Sequence, residues 1–315
     1  MTPDVAKSVV GWAQSYVKKH NLRTLDVCFH GGEPFINYDV MFYLATSFRE
    51  AFPSIEFSVV TNGSLITAKN AIQLKDIGVS TWQITLDGMG ENHNRSRPII
   101  GQDAFRQISN NLQHLREVDR VKINVNVSRS NVRTIEKDII RFISEGAIPP
   151  NARIVISLVR NLSSSGFWQL PSREAGVVMG RLISVLGRNG HRYVVDDALA
   201  SAMCSALHPH AFVISPTGVL RQCISAVERE FAVAGSVLDT TQNVHTSALS
   251  SFARLRWRVK PCCDCRYLPI CMGRCAFESI AKLGRGVCRR SFFDTLCKVV
   301  VKEKFHSRML DLLNN

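Results

Sequence analysis

No apolar run in the chain approaches the roughly 18 residues that a helix needs to cross a bilayer, and the opening segment, Met1 to His20, lacks the continuous apolar core of a signal peptide. A cytoplasmic protein without membrane contact is expected. No motif of interleaved aromatic and basic residues accompanies the net charge of +13, and the basic side chains are spread along the chain apart from modest concentrations in Arg254 to Lys260 and near the C-terminus. The charge reads as solvated surface, with a bias toward acidic partners and no specific nucleic acid. Cysteine is almost missing from the first two thirds, where Cys28 stands alone, while nine cysteines lie at or after Cys204. Two chemistries therefore share one chain, and its 315 residues, at roughly 150 per domain, have room for two domains.

Short β-branched or aromatic runs alternate with longer amphipathic segments over the first 190 residues, the pattern of βα units around a parallel sheet. Thr2 is placed to cap an opening helix with Pro3 at its first position, and Val5, Val9, Val10, Trp12 and Val17 form its apolar stripe. Strands are expected at Leu25 to Phe29, Ile55 to Val60, Thr81 to Leu86, Val121 to Val127 and Arg153 to Leu158. Helices are expected near 38–51, 67–77, 102–116, 131–145 and 172–190. Beyond that the pattern turns irregular, which puts a domain boundary near residue 195 and divides the chain into 1–195 and 196–315. The stretch from about 225 to 255 carries no motif.

The later cysteines are ordered as Cys204, then Gly218 and Cys223, then Cys262-x2-Cys265-x5-Cys271-x3-Cys275, then Cys288. A disulfide framework suits small secreted chains, and a structural zinc site would use four thiolates and leave several without a role. Iron–sulfur clusters are held by cysteine thiolates, and seven of them suit two cubanes with one ligand position left over.

This spacing resembles the seven-cysteine pattern of the SPASM domain, the auxiliary-cluster module of radical S-adenosylmethionine (SAM) enzymes. The resemblance implies that Cys262, Cys265, Cys271 and Cys288 hold one [4Fe-4S] cluster, and that Cys204, Cys223 and Cys275 hold a second. The fourth ligand of the second stays open between His210, water, substrate and an unliganded iron. Cys263 and Cys297 fall outside the pattern, although Cys297 is an alternative to Cys288 as the last ligand. Cys28, in an apolar strand, is read as packing.

The first expected strand ends in Phe29-His30-Gly31-Gly32-Glu33-Pro34, the second in Thr61-Asn62-Gly63 and the third in Thr85-Leu86-Asp87-Gly88. Polar groups thus gather where strands stop, the end at which parallel barrels bind ligands. The series resembles the partial (β/α)6 barrel of radical SAM enzymes, here without its first strand and followed by the small irregular SPASM domain. By that resemblance Gly31, Gly32 and Glu33 contact the methionine part of SAM, Thr85 lies near the ribose, and Arg97 lies near the carboxylate or ribose, with Thr61 and Asn62 as looser candidates. Asp87 has a plain turn-stabilising reading, and His30 and His93 have no assigned chemistry.

One departure stands out: such enzymes need a Cys-x3-Cys-x2-Cys loop after the first strand, and no such triplet occurs in the chain. The expectation is a truncated or mis-started frame, inactive as written, rather than an evolved loss of catalysis; a third, catalytic cluster then depends on an upstream triplet. The intact enzyme is expected to be a maturase that modifies a peptide or protein by radical chemistry, with ferredoxin or flavodoxin as electron donor and an acidic leader held by the basic surface. Sulfatase-maturing members carry an Asp after the cysteine that Cys223 matches, and Ile224 stands there, which favours crosslinking of a precursor peptide. Two readings from other classes stand beside it: a non-catalytic iron–sulfur protein for electron transfer or binding, and a zinc-stabilised interaction module.

Overall fold

The computed structural model describes residues 1–160, 169–189, 191, 193–195, 204–239, 244, 260–271, 275, 277–278 and 288–313. Helix α1 (Pro3–Lys19) begins as its sequence dictates, with the Thr2 hydroxyl accepting from the Val5 amide at 3.4 Å and Pro3 in the first turn, where a missing N–H costs nothing. There follow β1 (Leu25–Phe29), α2 (Tyr38–Ala51), β2 (Ile55–Thr61), α3 (Ala68–Ile77), β3 (Val79–Thr85), α4 (Glu91–Ser96), α5 (Ala104–Asn111), β4 (Arg120–Val127), α6 (Ile135–Ser144), β5 (Arg153–Leu158), α7 (Ser172–Arg188) and β6 (Tyr193–Val195). The strands pair in parallel in chain order, β1-β2-β3-β4-β5-β6, so each helix is a crossover between neighbours. This is the expected α/β architecture, with one strand more than the five anticipated. At three residues β6 is too short to show a periodicity, and it lies against the expected domain boundary.

Alternation sorts the sheet into two faces. Phe57, Val59, Trp82, Ile84, Val121, Ile123, Ile154 and Ile156 are buried on the helix side, while Ser58, Gln83, Lys122 and Ser157 are only half-buried on the other. Cys28 corrects an expectation, because it is exposed rather than packed. In β1 Leu25, Val27 and Phe29 take the apolar face and Asp26 and Cys28 the other, and among the described residues β1 is an edge strand paired with β2 alone.

After residue 204 a three-stranded antiparallel sheet forms from β7 (Val213–Ile214), β8 (Val219–Arg221) and β9 (Val233–Ser236), then a short helix α8 (Leu268–Cys271) and a long one, α9 (Arg290–Leu313). A turn at Ser215 to Gly218 joins β7 to β8, with Gly218 at φ +82°. No described helix is long and apolar enough to cross a membrane.

Helix α9 docks on α7 over Gly176 and Gly180, one turn apart. A β-carbon at Gly176 would lie 2.6 Å from the Phe292 carbonyl oxygen and 3.2 Å from the Leu296 amide nitrogen, both main-chain atoms that cannot swing aside. Gly176→Ala should therefore destabilise the protein by about 2 kcal/mol, the overpacking range. Gly187, in the last turn of the same helix, has nothing within 4 Å of that position, and Gly187→Ala should stabilise by about 0.5 kcal/mol. Urea unfolding of the two variants checks for these opposite signs.

Candidate functional site

The C-terminal ends of β1 and β2 are tied together by one carboxylate. Glu33 Oε1 accepts from the Phe35 amide at 3.1 Å and the Thr61 hydroxyl at 2.7 Å, and Oε2 accepts from the Asn62 amide at 2.7 Å. Glu33 thus clasps the loop after β1 to the end of β2, a framework role in addition to any ligand contact. Thr61 is buried, and its hydroxyl also accepts from the Gly63 amide at 3.0 Å. The Asn62 side chain accepts from the Ser64 amide at 2.8 Å, a local turn bond of the kind its sequence suggests. Gly63 has φ +85° and packs where a β-carbon would lie 2.9 Å from Ile84, so both conformation and space require glycine there.

Gly31 and Gly32 differ. Both are exposed, neither has a positive φ, and nothing lies within 4 Å of a β-carbon built at either, so nothing in the protein's own packing demands glycine. Bare backbone facing open space suits close approach by a ligand, the feature that the SAM reading of this loop requires.

A second network stands at the ends of β3 and β4. Thr85 is buried beside Asn124, its register partner. Asp87, also buried, receives the Arg97 Nε at 2.5 Å on one oxygen and the Asn126 amide and side-chain Nδ2 at 2.9 and 3.1 Å on the other. The Asp87 carbonyl accepts from Asn131 Nδ2 at 2.9 Å, and its amide donates to His93 Nδ1 at 3.1 Å. The Arg97 side chain is 43% exposed, so its guanidinium is held at one end and open at the other. Burial drives the His93 pKa down to about 4, with Asp87 opposing and Arg97 assisting, so the ring is neutral, with Nδ1 as the acceptor.

Sequence reasoning named Asp87 only as a turn residue, gave His93 no chemistry, and missed Asn126 and Asn131. A readable signal was the polar cluster Asn124, Asn126, Ser128 and Asn131 just where β4 ends. Asp138, buried on α6, was missed as well; it receives Asn92 Nδ2 at 2.9 Å and fixes the start of α4.

The structure describes all seven of the ordered cysteines. Cys223 is buried, and burial pushes its thiol pKa up, with the Cys275 and Cys204 sulfurs adding in the same direction. Cys223 shares a small apolar cluster with Ala226, Ala232 and Phe277, against which Cys275 packs. Cys262 and Cys265 are half-buried on a compact turn that leads into α8, and Cys271 is half-buried at the end of that helix: the Cys265 amide donates to the Cys262 carbonyl at 3.0 Å and the Cys271 amide to the Tyr267 carbonyl at 2.7 Å. Cys288 is exposed just before α9. Among the described residues no three His, Cys, Asp or Glu side chains already converge as a metal site. His210 packs on α1, where its Nδ1 lies 3.0 Å from the Tyr16 hydroxyl and its ring meets His20 and His208. Cys263 and Cys297 are exposed.

Residues 12–138 match the Radical SAM superfamily. Over 144 residues the chain is 28% identical to the radical SAM cyclopropyl synthase TigE of Paramaledivibacter caminithermalis, an alignment covering 45% of this chain and 30% of that protein. The chain thus spans less than a third of the length of this curated relative. Among solved structures, anSMEcpe with bound AdoMet and a Kp18Cys peptide superposes with a TM-score of 0.76 at 19% identity, covering 100% of this chain and 91% of that one. Streptococcus suis SuiB bound to the precursor peptide SuiA gives 0.64 at 15% identity, covering 91% and 68%. At such identities these likenesses establish the fold. The match to the Radical SAM superfamily thus lies in residues 12–138, and the ordered cysteines that follow fit a C-terminus of SPASM type.

Proposed function

We propose that the chain is a radical SAM/SPASM maturase, in which residues 1–195 bind SAM and residues 196–315 hold two auxiliary [4Fe-4S] clusters. The observation that carries this reading is the pairing, in one chain, of an open Gly31-Gly32 backbone beside a clasped Glu33 with seven ordered cysteines from Cys204 onward, of which Cys223 and Cys275 share one apolar cluster. Gly31, Gly32 and Glu33 would hold the methionine portion of SAM, with Thr61 and Asn62 behind them. Thr85 would lie by the ribose, and Arg97, preset by Asp87, would take the carboxylate. Cys262, Cys265, Cys271 and Cys288 would hold one cluster, and Cys204, Cys223 and Cys275 the other. With a third cluster on a Cys-x3-Cys-x2-Cys loop, a triplet that this sequence does not carry, bound SAM would supply one-electron, hydrogen-abstracting chemistry. The chain's own contribution is to orient: Glu33 fixes the β1 and β2 loops against one another, and Asp87 holds one face of Arg97.

The substrate class follows from the relatives. The two structural neighbours are described with bound peptides, which favours a peptide or protein substrate here, delivered with an electron from a ferredoxin- or flavodoxin-like donor. Ile224 beside Cys223 favours crosslinking over sulfatase maturation.

Anaerobic reconstitution of the 315-residue chain tests the cluster assignment. About eight irons and eight sulfides per chain are expected, and about four after replacing Cys262 and Cys265 by alanine. Four or fewer in the unmodified chain, or zinc without sulfide, would overturn it. Equilibrium dialysis with SAM on the same material should show binding that Glu33→Ala weakens at least about tenfold, as expected when a charge-assisted contact and a loop clasp are lost together.

A further inference from the structure

At the end of the sheet remote from the candidate site, a cleft of about 810 Å³ opens beneath the starts of β5 and β6. It is lined by Ile143, from the last turn of α6, by Ile148, Pro150 and Ala152 in the loop leading to β5, by Arg116 and by His191. The size is that of a small-molecule pocket, and the walls pair an apolar majority with few polar groups, the usual makeup of such sites.

Two of those polar groups lack partners. Arg116 is exposed, with no ion pair or hydrogen bond among the described residues. His191 hydrogen-bonds the Ala152 backbone, while its Nε2 is shielded from solvent and has no partner among the described residues. Because an imidazole gives a proton to a carbonyl from one nitrogen, the ring bonded to Ala152 is left with Nε2 as a lone-pair acceptor. A buried acceptor without a donor is unfavourable, and occupants that bring one are selected.

We propose that this cleft binds a small aromatic acid that also carries an N–H or O–H donor: the ring against Ile143, Ile148 and Pro150, the carboxylate on Arg116, and the donor on His191 Nε2. The three requirements are chemically separate, so three probes separate them. Indole-3-acetate has the ring, the acid and the N–H; 1-naphthaleneacetate has the ring and the acid without the N–H; tryptamine replaces the acid by an ammonium.

Isothermal titration of the full chain should show one-site binding of indole-3-acetate, about fivefold weaker binding of 1-naphthaleneacetate and no saturable binding of tryptamine. Arg116→Gln, a change at an exposed side chain that leaves the fold intact, should weaken both acids about tenfold. Ile143→Trp, which fills the cleft from a half-buried position, should abolish binding of both, with an unchanged circular dichroism spectrum showing that the fold persists. Equal affinity for the two acids, undiminished binding in either variant, or absence of saturable binding by indole-3-acetate would each overturn the proposal. The cleft shares no residue with the SAM and cluster assignments, so either can fail without the other.

Discussion

Acidification from pH 7 to pH 4 lowers the folding stability by about 3 kcal/mol through one side chain, His93. Its imidazole is fully buried, and its pKa falls from 6.5 to about 4, chiefly because burial strips water from the charged form. The Asp87 and Asp103 carboxylates pull the other way and the Arg97 guanidinium adds to the drop. Between those two values the unfolded chain takes up a proton that the folded chain refuses, so protonation favours unfolding. The contribution is complete above pH 6.5 and is lost as pH falls through the folded value near 4. Geometry points the same way: Nδ1 already accepts the Asp87 amide, a bond that a proton on Nδ1 would abolish. His93→Asn supplies a neutral acceptor that does not titrate. Urea unfolding at several pH values should show wild type losing about 3 kcal/mol more than this variant between pH 7 and pH 4. Parallel curves for the two proteins would remove His93 as the cause.

What was legible in the sequence followed from local rules. The strands through β5 are visible because β-branched and aromatic residues recur at every second position, and α1 and α3 because Thr2 and Thr67 cap them. The β6 strand is three residues long and gives no such signal. Edge position misled in the case of Cys28: a run as apolar as Leu25 to Phe29 looks buried on both sides, yet only one face of β1 is covered. The strand-end motifs pointed to residues that the structure links by hydrogen bonds at the ends of the strands, but not to the partners they use there. Glu33 reads in sequence as an open acceptor, whereas three donors already reach its two oxygens from Phe35, Thr61 and Asn62. Those partners are distant in sequence or reside in backbone amides, and neither kind appears in a residue pattern. The cysteines show the same limit. Their order is linear and readable, but the packing of Cys223 and Cys275 in one apolar cluster depends on how β8 and the turn after it return to the segment at Cys275.

Asp87 is the position where a single substitution should do most damage. It accepts three hydrogen bonds on its carboxylate, from Arg97 and twice from Asn126, and its main chain is held by His93 and Asn131. In Asp87→Ala, Arg97 can turn to water, since its side chain is already 43% exposed, so loss of the ion pair by itself costs little. The half-buried Asn126 donors, flanked on β4 by buried Val125 and Val127, turn to water less freely, and leaving both without an acceptor should cost about 3 kcal/mol in all. Asp87→Asn keeps one oxygen for Asn126 and should lose about 1 kcal/mol. The two variants therefore separate framework from charge: both unfix Arg97, but only alanine collapses the network. If Arg97 takes the SAM carboxylate, SAM binding should weaken by similar factors in the two, while urea midpoints differ by the full gap between them. A stable Asp87→Ala protein would mean that the Asn126 donors find another acceptor, and Arg97 would then owe its placement to α4 rather than to this carboxylate.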